Sequence, residues 1–333
     1  MPATPAMTVS AARFEIRPLA EAQIPLVTAW ARQEGFTPGS GDVAIYRQTD
    51  CQGVWLGWLD QTPIGCIAGV RYNADYGFIG LFIVRPDQRG HGYGIQLWRH
   101  ALEHLSDVRC IGLEAAQDRI SDYAGWGFQP ASTTRRWQLD VPADAPSGLP
   151  IAGLGLLGLK PSSPAAARTA AGVSPDLGDL LQPGSRLSLV TAAAIPEAAL
   201  QAYDASHEAT PRPHFLRDWL RHPAGTVLAL IDGEQRCHGF GRIRPCQLPQ
   251  GQGWRIGPLI ADSPQLADRL LQQLLQDHPG AVLIDAPGAN PAAAKLLRCR
   301  GFAVVGETLR MYRGPIPTLP LQDVFGLACL ELG

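Results

Sequence analysis

"IGLFIVRPDQRGHGYG", residues 79–94, carries an apolar run into three glycines that alternate with a histidine and a tyrosine behind an arginine. The run ending at Val84 reads as a buried strand, and "IQLWRHALEHL" from Ile95 has the periodicity of an amphipathic helix. A strand, a glycine turn and a helix N-terminus aim several backbone N–H groups at one point, where the helix macrodipole also favours negative charge. Gly90, Gly92 and Gly94 permit positive φ and place no Cβ between those amides and a ligand, while Arg89 adds a fixed cation. The segment predicts an anion cradle, and the expected anion is a pyrophosphate. A dinucleotide fold puts G-x-G-x-x-G directly on the strand, with an acidic residue about 20 positions later, and a P-loop needs Gly-Lys-Ser/Thr. This stretch matches neither.

Outward from this stretch, the chain says the same thing twice. "IGLFIVRPDQ" at Ile79 is echoed by "IGPLIADSPQ" at Ile256, 177 positions later. Upstream, "VWLGWLDQTPIGCIAGVR" corresponds to "TVLALIDGEQRCHGFGRIR"; downstream, "IGLEAA" and "DYAGWGF" are answered by "VLIDAP" and "LLRCRGF". A single long period means a duplicated domain, not a solenoid. Each half predicts a hairpin, a longer strand, a turn, a helix, another strand and a short helix ending in Gly-Phe. The expected units are residues 1–140 and 185–333, joined by a Pro/Ala/Gly-rich linker at 141–184. The second copy has side chains where the first has its cradle: Leu266, Ala267, Arg269 and Leu271 stand at the positions of Arg89, Gly90, Gly92 and Gly94.

Composition narrows the function. The chain has 333 residues, and 28 basic against 30 acidic side chains leave a net charge of −2, which gives no field to recruit nucleic acid. The start lacks a leader pattern, and the longest apolar stretch, "LPIAGLGLLGL", is too short to span a bilayer, so the expectation is a cytoplasmic protein without a membrane partner. Seven cysteines, at 51, 66, 110, 237, 246, 299 and 329, form no C-x-x-C pair, so neither a metal site nor a disulfide framework is expected. The group His207, Glu208, Arg212 and His214 has no metal-ligand spacing either.

Val84 followed by Gln88-Arg89-Gly90-His91-Gly92-Tyr93-Gly94 resembles the acyl-coenzyme A loop of the GNAT superfamily of N-acyltransferases, and "DYAGWGF" resembles its Tyr-x-x-x-Gly-Phe element, giving Tyr123, Gly127 and Phe128. The two motifs stand in the family's order. The resemblance covers about residues 13–140 and 185–313, and the arrangement, including the closing "VFGLACLELG", is similar to a bacterial tandem-GNAT family with a divergent second domain. It implies an α+β protein of two GNAT-like domains, with mixed central sheets flanked by helices. It also implies acetyl-coenzyme A bound once, by the loop from Arg89 through Gly90, His91, Gly92 and Tyr93 to Gly94. Backbone groups of Phe82, Ile83 and Val84 would pair with the pantetheine arm as another strand would.

The implied activity is direct transfer, through a ternary complex, to a primary amine of a small molecule; the alternatives are a noncatalytic acyl-coenzyme A sensor, a longer acyl group or a protein amine. Such chemistry needs a held thioester, a neutral amine, a donor for the oxyanion and an acid for the departing thiolate. The resemblance assigns the acid to Tyr123. Glu114, at the end of an apolar strand, and Asp75, before the long strand, are the alternatives for a base. Arg244 and Arg255 are candidate substrate contacts from the second domain, which is expected to wall the pocket. The oligomeric state is open between monomer and homodimer.

Overall fold

The computed structural model describes residues 13–142 and 187–333. The chain's first twelve residues and nearly all of the 141–184 segment lie outside the described residues, so the expectations of a linker and of no leader fall there. The first half runs β1 (Phe14–Pro18), α1 (Ile24–Gln33), α2 (Asp42–Thr49), β2 (Val54–Leu59), β3 (Thr62–Arg71), β4 (Tyr76–Val84), α3 (Tyr93–His104), β5 (Cys110–Ala116), α4 (Ile120–Gly125) and β6 (Gln129–Val141). The second half repeats this as β7 (Ser188–Thr191), α5 (Glu197–His207), α6 (Pro213–Arg221), β8 (Thr226–Ile231), β9 (Cys237–Gln247), β10 (Gln252–Ala261), α7 (Pro264–Leu275), β11 (Gly280–Pro287), α8 (Pro291–Cys299) and β12 (Ala303–Arg313), then adds β13 (Val324–Gly326).

The alternation of the strands decides which helix covers which face. Trp55, Ile67 and Ile79 face α3, whose Leu97, Trp98, Ala101 and Leu102 form the apolar stripe expected of a surface helix. Their sequence neighbours Leu56, Cys66 and Ala68, together with Leu81 and Ile83, face α1 and α2 through Val27, Ala31, Val43 and Tyr46. Phe215 and Trp219 of α6, and Ala328, Cys329 and Leu332 of the C-terminal tail, belong to that second cluster, so the two halves share a core.

The sequence did not announce how the halves join. All the strands described form one sheet in the order β1-β2-β3-β4-β5-β12-β6-β11-β10-β9-β8-β7, with β13 paired to β10. The last strand of each repeat has crossed over: β12 pairs with β5 of the first half, β6 pairs with β11 of the second, and β6 and β12 pair with each other. Thr134 lies opposite Thr308 in that central pair. Each crossing is locked by one ion pair of the same design. Arg310 of β12 stands opposite Glu114 of β5, with Nε at 2.7 Å from Oε1; Arg136 of β6 stands opposite Asp285 of β11, with Nε at 2.7 Å from Oδ1. Glu114 and Asp285 occupy matching positions in "IGLEAA" and "VLIDAP", so the echo between them is explained by packing.

Candidate active site

β4 and β5 run parallel and hydrogen-bonded only from Tyr76 opposite Cys110 to Ile79 opposite Leu113; beyond that they separate. The cause is local. On the other edge of β4, Ile83 pairs with Cys66 and Gly80 with Ala68, so Leu81 and Phe82 together face the single residue Ile67. This is a β-bulge, and Leu81 sits in it at φ +49°, a conformation side chains disfavour. A bulge bends its strand, and here it turns β4 away from β5 and opens a cleft of about 950 Å³ lined by residues 79–84, Gln88, Arg89, Gly90, Gly94, Glu114 and Tyr123. Separation beyond Ile79 leaves that edge of Phe82, Ile83 and Val84 without a strand partner.

The glycine loop closes one end of the cleft. Gly90 and Gly92 have φ of +81° and +83°, and a Cβ on either would meet nothing within 4 Å, so the space beside their amides is open to a ligand. Gly94 is different. It lies inside α3, and a Cβ there would touch the Phe82 ring and the Val84 side chain at 3.4 Å, so it brings the helix N-terminus close to β4. Arg89 is exposed, but its guanidinium is engaged: Nε donates to the Val84 carbonyl at 2.8 Å and Nη2 to Glu34 at 2.6 Å. It therefore fixes the loop against β4 and α1 as well as lending charge. His91 is exposed, and Tyr93 packs on Phe14 with ring centroids 4.9 Å apart; neither lines the cleft.

Tyr123 enters from α4. Its ring rests on Trp98, 5.1 Å between centroids, and burial pushes its phenol above the ordinary tyrosine value against the opposing pull of Arg119. The proton thus stays on the oxygen through neutral pH. Trp98, also lining the cleft, has a buried indole N–H without a partner, a donor that sequence reading missed because an apolar helix stripe hides it.

Glu114 reaches the cleft, but its oxygens are taken. Oε1 accepts from Thr134 at 3.0 Å and Arg310 at 2.7 Å, and Oε2 accepts from Thr308 at 2.8 Å. These donors come from the two crossed strands, which no spacing rule places beside β5.

Three expectations are corrected. Asp75 sits exposed in the β3–β4 turn, at the end of β4 remote from the glycine loop and outside the cleft, because β4 extends nine residues from it to Val84. Arg244 is fully buried and grips Asp42 of α2 with two bonds of 2.9 Å. Arg255 is equally buried, bonding Asp285 at 2.8 Å and the carbonyls of Phe36 and Thr37 at 3.3 Å. Both arginines join the halves and neither faces the cleft. Arg212 is likewise consumed, by Asp204 and Glu208.

The second copy has the same separation of strands: β10 and β11 pair as far as Ile256 opposite Ile284. There the chain supplies its own filling. β13 pairs antiparallel with Leu259 and Ile260, the counterparts of Phe82 and Ile83, and the following Leu327 N–H bonds the Asp285 carbonyl at 2.7 Å. Asn290 holds the insert through the carbonyls of Gln322 and Val324. Leu266, Ala267 and Leu271 are buried in the core where the first copy has loop, and Leu297, in the place of Tyr123, is buried too. No helix among the described residues is long and apolar enough to cross a membrane, and no metal-binding cluster occurs among them. The seven cysteines are free, and five of them are buried.

Comparison with known proteins agrees with this geometry. Residues 24–128 match the model of the acetyltransferase (GNAT) family, and residues 200–326 match that of an acetyltransferase (GNAT) domain. The chain is 27% identical over 316 residues to a holothin acyltransferase of Pseudoalteromonas sp. (strain SANK 73390), covering 92% of this chain and 90% of that one. A putative acetyltransferase from Pyrococcus horikoshii superposes with a TM-score of 0.70 at 20% identity, over 96% of each chain. A tandem GNAT protein from the clavulanic acid biosynthesis pathway gives 0.57 at 14%, over 91% of this chain and 100% of that one.

Proposed function

The chain belongs to the GNAT superfamily of acyltransferases, with one such domain in each half, and from that premise we propose that its first domain transfers the acetyl group of acetyl-coenzyme A to a primary amine of a small molecule. One observation carries the reading. The second domain lays its own β13 along Leu259 and Ile260, and the first domain keeps the equivalent edge of Phe82 and Ile83 facing a cleft. An internal strand is thus a template for an extended pantetheine arm, whose amides can pair with β4 as β13 pairs with β10. The open space beside Gly90 and Gly92 suits the pyrophosphate, and the unpartnered Trp98 indole N–H suits an acceptor atom of the arm or its sulfur.

In this reading the amine nitrogen attacks the thioester carbonyl, a β4 backbone N–H stabilises the oxyanion, the C–S bond breaks, and Tyr123 gives its proton to the departing thiolate and is restored by the proton that nitrogen sheds as the amide forms. Glu114 orients by charge and anchors the crossed strand; three close donors on its oxygens suit that role better than proton abstraction. Arg136, Thr308, Leu330 and Glu331 also wall the cleft, and this reading takes them as its acceptor end. Every one of these lies on a crossed strand or the C-terminal tail, so the acceptor enters a recess and not a flat surface, which favours a small molecule over a protein amine. The holothin acyltransferase, similar along nearly the whole of both chains, is named for a compound and supports the same choice. The protein would work in the cytoplasm, where acetyl-coenzyme A is at hand. A screen of primary amines for thiol released from acetyl-coenzyme A tests the reading. Release that no amine accelerates would refute it.

A further inference from the structure

Five carboxylates line the cleft: Glu34, Glu114, Asp118, Asp122 and Glu331. Four are committed. Glu34 holds Arg89, Asp118 and Asp122 flank Arg119 at the exposed rim, and Glu114 has its three close donors. Glu331 differs. Its side chain is 3% exposed, yet Oε2 receives one bond of 3.2 Å from the Tyr46 hydroxyl and Oε1 one of 3.4 Å from Arg255, whose other nitrogen is closer to Asp285. Those lengths lie at and beyond the usual limit, and a carboxylate offers about four acceptor sites. Glu331 therefore retains capacity for a further donor, and the residue lines the cleft.

The tail is built to put it there. A Cβ on Gly257 would overlap the carbonyls of Leu327 and Ala328, and a Cβ on Gly80 would overlap the backbone of Glu331. The tail thus crosses each long strand at a glycine, first in the second domain and then in the first, and ends with the Leu332 carbonyl bonded to Tyr72 and the Gly333 carbonyl bonded to Arg212. Gly80 directly precedes the bulge at Leu81. Tyr123 packs with the α3 side of the sheet, whereas the tail residues beside Glu331 pack with the α1 and α2 side, so the two polar groups approach the bulge from opposite faces.

We propose that Glu331 is the acceptor-side carboxylate, which binds the ammonium of a primary amine that is charged at neutral pH and takes its proton, directly or through one water, before attack. The inference rests on the acetyl-transfer reading. The balance is complete. One amine proton goes to Glu331, the freed nitrogen lone pair forms the C–N bond, the C–S pair leaves on sulfur and takes the Tyr123 proton, and the second proton that nitrogen sheds as the amide forms restores Tyr123, directly or through solvent. Glu331 then returns its proton to solvent. The titratable and charged groups packed against it are Tyr46 from α2, Arg255 from β10 and Cys329 from the tail. Burial keeps the phenol and the thiol protonated, the latter pushed up to about 12.

The test assays the full-length protein with acetyl-coenzyme A and benzylamine, tyramine or putrescine, reading thiol release from about pH 6.5 to 9.5, on either side of the neutral range. Glu331→Gln should lower kcat/KM at neutral pH by about 10²- to 10⁴-fold, the range for a lost general base, with acetyl-coenzyme A affinity unchanged. The deficit should shrink as pH rises and the amine supplies its own free base. A purely structural Glu331 would give a deficit independent of pH, and that result, or none at all, overturns the proposal. Should Glu331→Gln not fold, Glu331→Asp keeps the charge beside Arg255 while withdrawing the oxygens. A loss of about tenfold or more supports the assignment, and a wild-type rate overturns it. Wild-type protein that binds acetyl-coenzyme A but acetylates none of the three amines overturns the transfer reading and this inference together. Transfer by wild type matched by Glu331→Gln overturns the inference alone.

Discussion

Arg310→Met cuts one of the two links that hold the crossed strands, and the structure sets the size of the effect. The Arg310 and Glu114 side chains are 8% and 4% exposed, so the variant leaves a carboxylate buried with only the hydroxyls of Thr134 and Thr308. Breaking a buried pair from one side costs about 3–5 kcal/mol, because the remaining charge is uncompensated. Arg136→Met is the built-in control. Asp285 would lose Arg136 but keep Arg255 at 2.8 Å, so the cost should be that of a lost charged hydrogen bond, about 1.5–3 kcal/mol. Burial alone would raise the Asp285 carboxyl; Arg136 and Arg255 outweigh it and hold the group at about 2, so both contribute to its ionisation. Urea unfolding at neutral pH measures both variants, and Glu114→Gln combined with Arg310→Met should recover most of the Arg310→Met loss, since the uncompensated charge is gone. A midpoint for Arg310→Met within about 0.5 kcal/mol of wild type, the range of ordinary surface changes, would refute the reasoning. So would a larger loss for Arg136→Met.

Tyr123→Phe should leave stability and acetyl-coenzyme A affinity nearly unchanged and lower kcat by about 10²- to 10⁴-fold, and the wild-type rate should not fall off below about pH 10, since the buried phenol keeps its proton beyond the ordinary value; a pH–rate profile checks both. His238 lies between Asp232 and Asp262; burial disfavours its charge, but the two carboxylates outweigh burial and raise its pKa. Its contribution to stability is therefore full below the unfolded value of about 6.5 and lost as pH rises through the folded value, so the stability gap between wild type and His238→Gln should narrow from about pH 6 to pH 8 in thermal melts. A fragment of residues 1–140 lacks β12, which exposes the β5 edge and leaves Glu114 without Arg310; it should be insoluble, and a soluble monomer with native-like circular dichroism would contradict the shared-sheet account.

The repeat and the glycine loop were legible in the sequence because both depend on local order: apolar period, turn residues and the spacing of Gly-Phe. The strand crossing was not, because β6 and β12 would have the same alternating pattern in either domain, and only the partner changes. Arg244 and Arg255 misled for a related reason. An arginine on a strand reads the same from sequence whether it meets a ligand or a buried aspartate from another element. One usable signal was present at Gly80 and Gly257, since the second copy discards the cradle glycines yet keeps this one, which points to a backbone crossing and not to the cofactor.

Acetyl-coenzyme A titrated calorimetrically into the full-length protein, and then into Gly92→Val, tests most directly the claim that the first domain binds the coenzyme while β13 fills the second. One site per chain is expected in the wild type. The variant should bind about five- to 150-fold more weakly, because holding a β-branched residue at φ +83° in the binding conformation costs about 1–3 kcal/mol and its methyls enter the space beside the loop amides. Two equivalent sites, or one whose affinity is indifferent to Gly92→Val, would contradict the account.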